Sequence, residues 1–232
     1  MLPKLFASIL VLQSALYSAA LPSVDEVIAK MVQRDQERRS AFQGYTSVRY
    51  YVLENTKHHK QASMTVRMTQ CKDGSKEFKI VTSSGWSGAR KHVFPKLLEA
   101  EAEASRPGNP EDSRVTPQNY SFSMLRADEV DGRKAYVLDV VPKKQTKYLM
   151  RGTIWVDAED FAIVRMEGEP AKNPSFWIKN VQFAHKYEKH GPFWLAAFDN
   201  SVSDARIFGP TELRINYFDY VFNKPSQEAK LR

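Results

Sequence analysis

Apolar and polar side chains alternate with a period of two along most of this chain. That is the pattern of β-strands, in which successive side chains point to opposite faces. In Gly152–Asp157, Ile154 and Val156 fall on one side, and Thr153, Trp155 and Asp157 on the other. In Phe161–Glu167, Phe161, Ile163 and Arg165 share one face and Ala162, Val164 and Met166 the opposite one. Asp157–Asp160 joins the two runs as a turn with Asp in the leading position. A hairpin is therefore predicted, with large apolar groups on both faces. The same alternation marks Tyr45–Leu53, Ala62–Gln70, Glu77–Ser83, Asn119–Val130, Lys134–Val141, Phe176–Tyr187, Phe193–Asp204 and Glu212–Phe222. Asp73-Gly74 and Asp131-Gly132 supply hairpin turns between such runs. About ten strands result, with no repeat at a fixed solenoid period.

Two stretches change to the helical period. Val24, Val27, Ile28, Met31 and Val32 form one apolar stripe over Val24–Phe42. Ser23 is its expected N-cap, Asp25 and Glu26 suit the positive end of the helix dipole, and Gly44 lies where the helix ends. Within Arg90–Ser105, Val93, Phe94, Leu97, Leu98 and Ala102 make a second stripe, with Pro95 in its first turn. Before it, Ser84–Gly88 sets Trp86 between glycines, and after it Arg106–Pro117 is loop. An insertion of this length between strands is either a lid or a helix that covers the sheet. The pattern does not choose between them.

The first twenty residues have the order of a secretory signal. Lys4 is the positive end, Leu5–Leu16 the short apolar run, and Ser18-Ala19-Ala20 the small residues before a cleavage site. The run is shorter than the roughly 20 residues that span a bilayer. No cysteine follows it, so an acylated anchor is not expected. The expected organisation is a signal peptide over 1–20, one domain over 21–222 and a polar tail over 223–232. The formal charge of +7 favours acidic partners, such as anionic lipid. No Lys/Arg block with interleaved aromatics is present, so nucleic acid is not an expected partner. A single cysteine, Cys71, excludes an intramolecular disulfide and a cysteine metal cluster.

Catalytic motifs are missing: no nucleophile elbow, phosphate loop, dinucleotide fingerprint or metalloprotease helix occurs. His58 and His59 sit in a polar turn, and His92, His185 and His190 lack partners at ligand spacing. Lys143, Lys144 and Lys147 form a basic turn. Neither an enzyme, a cofactor nor a metal is expected. The chain does hold 13 Phe, 10 Tyr, 4 Trp and 7 Met on long strands. On a curved sheet these form either a dry core or the walls of a cavity for an acyl chain. Burial in such a cavity yields about 0.8 kcal/mol per CH₂.

The central hairpin resembles the C-terminal half of LolA-like outer-membrane lipoprotein-sorting domains. The likeness is carried by Gly152, Ile154, Trp155, Val156, Asp157, then Arg165, Glu167 and Gly168, and continues to about Phe222. The resemblance implies a mainly β (α+β) fold: a curved antiparallel sheet, or incomplete barrel, covered by the N-terminal helix and a lid-like helix. It implies an exported periplasmic carrier or sorting protein that binds lipid or acylated protein in an apolar cavity, with envelope membrane proteins as further partners. By analogy, Trp86, Phe94, Leu97 and Leu98 belong to the lid. Trp155, Met166 and Phe176 belong to the wall, although strand parity alone does not say which face is concave. The Arg-Pro pair of the family's lipoprotein carriers is absent, since Met68 follows Arg67. The implied ligand is therefore lipid in general. The alternative is an envelope interaction or sensor domain that recognises a protein partner.

Overall fold

The computed structural model describes residues 21–107, 113–173, 178–206 and 209–223. The expected signal, Phe176 and nearly all of the polar tail lie outside them. Helix α1 (Val24–Ala41) leads into β1 (Tyr45–Asn55), β2 (Lys60–Gln70) and β3 (Lys76–Gly85). Helix α2 (Phe94–Ala104) follows, then β4 (Tyr120–Val130), β5 (Arg133–Pro142), β6 (Met150–Asp157) and β7 (Ile163–Pro170). The chain closes with β8 (Ile178–His190), β9 (Phe193–Ala205) and β10 (Gly209–Phe222). Among the described residues these ten strands form one antiparallel sheet, ordered β3-β2-β1-β10-β9-β8-β7-β6-β5-β4. β3 and β4 are its two edges, so the barrel is incomplete, as expected.

Local chemistry sets the helix ends. The Ser23 hydroxyl accepts the Glu26 amide at 3.2 Å, and Arg38 and Arg39 lie in the last turn of α1, where cations meet the negative end of the dipole. The expected second helix divides in two. Residues 89–93 make a wider turn in which the Phe94 amide reaches back to the Ala89 carbonyl, and α2 follows with Pro95 at its start. Asp131-Gly132 has positive φ at both residues, 50° and 79°, as a two-residue hairpin turn requires.

Register shows that both helices cover the same face. Paired residues on neighbouring strands share a face. One row runs Met124–Leu138–Ile154–Met166–His185 across β4 to β8. It continues through Asp199, Ile215, Tyr51 and Met64 on β9, β10, β1 and β2. At one end of the row α1 packs Val27, Ile28 and Met31 on Leu138, Val140, Ile154 and Val156. At the other, α2 packs Phe94 and Leu98 on Tyr51, Leu53, Met64 and Val66. Burying a side chain such as Phe94 contributes about 2–3 kcal/mol. Between the two apolar clusters the row turns polar, at His185 and Asp199.

The sheet's other face has its own small cluster, with Ala135, Val137, Trp155 and Val164 buried and Val130 and Trp194 packed against them. This accounts for the two apolar faces of the hairpin. One correction concerns parity in β7. The register against β6 steps from Trp155↔Arg165 to Val156↔Ile163, leaving Val164 as a β-bulge. A bulge inserts one residue and reverses the facing of those beyond it. Ile163 and Met166 therefore share the helix-covered face, and Val164 joins Trp155 on the other. The strand also begins two residues later than predicted, because Phe161 has a φ of 49° and belongs to the turn.

The glycines of the hairpin motif are structural. Gly152 and Gly168 are partners across β6 and β7. A Cβ on Gly152 would lie 2.1 Å from the Glu167 carbonyl oxygen, and one on Gly168 2.1 Å from that of Arg151. No side chain fits between backbones this close. Asp157 anchors the turn: its carboxylate takes two hydrogen bonds from Arg133, at 2.6 and 2.9 Å, and the amides of Glu159 and Asp160. Burial pushes this carboxyl up, but Arg133 and the two amides outweigh it and hold it below the ordinary range.

Candidate functional site

A cleft opens where the C-terminal ends of α1 and α2 approach each other above the sheet. Its cavity volume is about 710 Å³. α1 contributes Asp35, Arg38, Arg39 and, just past its end, Phe42, while α2 contributes Glu101 and Ala104. Lys72, Asp73 and Gly74 from the β2–β3 turn and Phe193, Trp194 and Leu195 from β9 also line it. A second space of about 400 Å³ adjoins it under α1, lined by Met31, Val32, Val115, Ala162, Ile163 and Met166. Arg38, Arg39, Arg114, Tyr187 and Trp194 border both spaces. The two spaces thus share a charged border, to which the second adds apolar side chains under α1, and each is within the size range of small-molecule sites.

Several polar groups at this border are already engaged. Arg39 Nε pairs with Asp35 at 2.7 Å, and Arg38 donates to the Asp160 carbonyl at 3.1 Å. Burial lowers the Arg38 guanidinium's value. Lys72 has no carboxylate partner among the described residues. The Tyr187 hydroxyl meets the Met166 sulfur at 3.3 Å, and burial raises its value, aided by Asp199.

Behind the charged border lies a buried ionic group that ties α2 to the sheet. Arg49 on β1 donates to both oxygens of Glu101, at 2.8 and 2.9 Å, and Lys76 on β3 reaches the same carboxylate at 2.8 Å. The guanidinium lies 5.4 Å from the Phe78 ring centre and 4.9 Å from that of Tyr217. Burial pushes the Glu101 carboxyl up, but Lys76 and Arg49 together outweigh it and hold it at about 2. Arg49 is correspondingly raised by Glu101 against its own burial. Arg49 Nε and the neighbouring Ser47 hydroxyl are buried without a hydrogen-bond partner.

The polar middle of the covered face is a separate network. His185 Nδ1 lies 2.6 Å from Asp199, whose other oxygen accepts the Tyr217 hydroxyl. The Phe183 ring packs 4.7 Å from the imidazole. Burial, with Asp199 beside it, raises the Tyr217 hydroxyl well above its ordinary value. An Asp–His pair can orient a base, but no serine, threonine or cysteine bonds to His185 among the described residues, and the pair lies outside both cleft spaces. The described residues contain no cluster of three potential metal ligands. No described helix is long and apolar enough to cross a membrane.

The structure separates the site residues expected from sequence. Met166 lines the second space, under α1. Phe94 and Leu98 are buried against β1, β2 and β10, with Leu97 and Trp86 packed around them, so this stripe fills the core under α2. Trp155 is on the opposite face, where its Nε1 donates to Asp128 at 3.0 Å and Arg165 lies 4.6 Å over its ring. Phe176 lies outside the described residues. Sequence reasoning missed Arg38, Arg39, Tyr187 and Trp194. Their signal was weak: two arginines at the polar end of an amphipathic helix, and aromatics beside the His190-Gly191 turn.

No family model matches this sequence, and no curated protein matches it. Among solved structures the chain is similar to an outer-membrane lipoprotein-sorting protein domain from Vibrio parahaemolyticus. That match has 12% identity, covers 87% of this chain and 95% of the other, and has a TM-score of 0.46. It is also similar to a DUF1329 family protein from Desulfovibrio piger, with 15% identity, 90% and 95% coverage and a TM-score of 0.46. A LolA superfamily protein from Nitrosomonas europaea matches with 9% identity, 88% and 97% coverage and a TM-score of 0.45. These likenesses concern the fold alone.

Proposed function

We propose that this protein is an exported envelope protein that binds lipid, or the acyl chains of lipoproteins, as a periplasmic carrier or sorting factor. One observation supports this most: the apolar side chains of Met31, Val32, Ile163 and Met166 line a space whose border is charged, with Asp35, Arg38 and Arg39 shared with the larger cleft. An amphiphile needs both environments. Burying about eight methylenes contributes about 6 kcal/mol before the entropy of association is subtracted. The reading is of a binding protein, with no cofactor and no catalytic step.

The test is native mass spectrometry of protein recovered from the envelope, with lipid extraction and titration by a fluorescent fatty acid. Val32→Trp narrows this space from the half-exposed side of α1 and is expected to weaken uptake about tenfold with little change in stability. A protein that is reproducibly empty and takes up no fatty acid would overturn the reading. The charged border also favours a second reading, recognition of a protein partner. A lipid-free protein that recovers one envelope protein in stoichiometric amount would select it.

A further inference from the structure

At the end of α2 remote from the cleft, two neighbouring loops carry cations without acids. The β1–β2 connection, 56–60, reads Thr-Lys-His-His-Lys, and 84–92 reads Ser-Gly-Trp-Ser-Gly-Ala-Arg-Lys-His. Neither contains an aspartate or glutamate. The loops touch: the Trp86 amide donates to the Gln61 carbonyl at 2.7 Å, and Ala62 pairs with Gly85. The Lys60 ammonium lies 5.5 Å over the Trp86 ring, and Arg90 Nε donates to the Gly85 carbonyl at 3.1 Å. Residues 56–60 are all exposed, as are Lys91 and His92, and Trp86 is half-buried. None of Lys57, Lys60, Arg90 and Lys91 is paired with a carboxylate among the described residues. Glu54, the nearest acid along the chain, is held by Arg214 at 2.7 Å.

On α1 and around the β6–β7 turn, by contrast, most cations are matched. Lys30, Arg34 and Arg39 on α1 are paired with acids of the same helix, and Arg133 and Lys189 with the acidic β6–β7 turn. The loop rim is thus a locally unneutralised positive surface with an amphipathic indole at its centre. Lysine and arginine near an anionic bilayer each contribute attraction, and tryptophan favours the level of the headgroups.

We propose that this rim docks on an anionic lipid surface, with Lys57, Lys60, Arg90 and Lys91 toward lipid phosphates and Trp86 at headgroup depth. An acidic protein would satisfy the charges alone. The half-buried indole, packed against the α2 cluster on one side and under Lys60 on the other, lies at the kind of apolar–polar boundary that favours the interface between water and lipid. The proposal is independent of the acyl-chain cleft, which lies at the other end of β1–β3.

The test is co-sedimentation of the full chain with vesicles of phosphatidylcholine mixed with phosphatidylglycerol, against phosphatidylcholine alone. Wild type is expected on the mixed vesicles only, and added salt is expected to release it. Each cation removed weakens binding about fivefold, so Lys57→Glu with Lys60→Glu and Lys91→Glu is expected to lose at least about a hundredfold. Lys143→Glu with Lys144→Glu, on the β5–β6 turn, changes charge elsewhere and is expected to lose much less. Trp86→Ala is expected to weaken binding several-fold. All variants share the N-terminal segment, so its contribution cancels. Equal binding to neutral vesicles, or a triple variant as tight as wild type, overturns the proposal. So does loss of equal size in the control pair, or vesicle binding that fails while the rim still captures an acidic protein.

Discussion

Glu101→Gln removes the carboxylate that neutralises Arg49 while keeping the size and shape of the side chain. An ordinary glutamate titrates near 4.5, whereas Glu101 is held at about 2. That difference sets a ceiling of about 3 kcal/mol on its charged-state contribution at neutral pH. The side chain keeps 28% of its surface exposed, so solvent screening reduces this to about 2 kcal/mol. The variant also strands the guanidinium, whose side chain is only 3% exposed, and stripping one partner from a fully buried pair costs about 3–5 kcal/mol. A net loss of about 2–3 kcal/mol is expected, or a fall in Tm of about 5–10 °C for a chain of this size. The sign with pH follows from the depressed value. The stabilisation is complete above about pH 4.5 and is lost as the pH falls towards 2. Urea unfolding across that window should show a stability slope in wild type that the variant lacks. The combination Arg49→Met with Glu101→Leu should recover most of the loss. If Glu101→Gln matches wild type in both Tm and acid slope, the ionic tie between α2 and the sheet is not what holds the helix down.

Gly152→Ala places a Cβ against the Glu167 carbonyl and Gly168. It should cost several kcal/mol by forcing β6 and β7 apart, seen as a lower denaturant midpoint and faster amide exchange in both strands. Asp157→Asn weakens the charge-assisted bonds from Arg133 while leaving the two amide contacts satisfiable. It should cost about 1–2 kcal/mol, with the difference from wild type shrinking as acid protonates Asp157.

Much of the sheet was legible because a half-buried strand imposes period two on its residues. Tyr45–Leu53 is the clear case: its odd-numbered positions are buried and its even-numbered ones are not. The α1 stripe was legible for the same reason at the helical period. Parity failed at one place. The bulge at Val164 leaves no composition signal, since Ile163, Val164 and Met166 suit either face. The lid expectation met a different limit. A stripe such as Phe94, Leu97 and Leu98 looks alike whether its helix opens over a cavity or fills a core, and here it packs on Tyr51 and Met64. The Arg49–Glu101 tie joins residues 52 positions apart. No local pattern encodes such a partner, and an arginine at an apolar position of β1 was its one trace.

Every neighbouring pair of strands in this sheet is also consecutive in the chain, except one: β1 lies beside β10. The molecule is therefore two ribbons of successive hairpins sewn together along a single late seam. The first ribbon, with α2 attached, must wait for the final strand to leave the ribosome before it gains its second neighbour. Cutting the chain ahead of Gly209 should therefore leave both ribbons present but unjoined, and release of the last strand is the step that sets when the whole sheet can form.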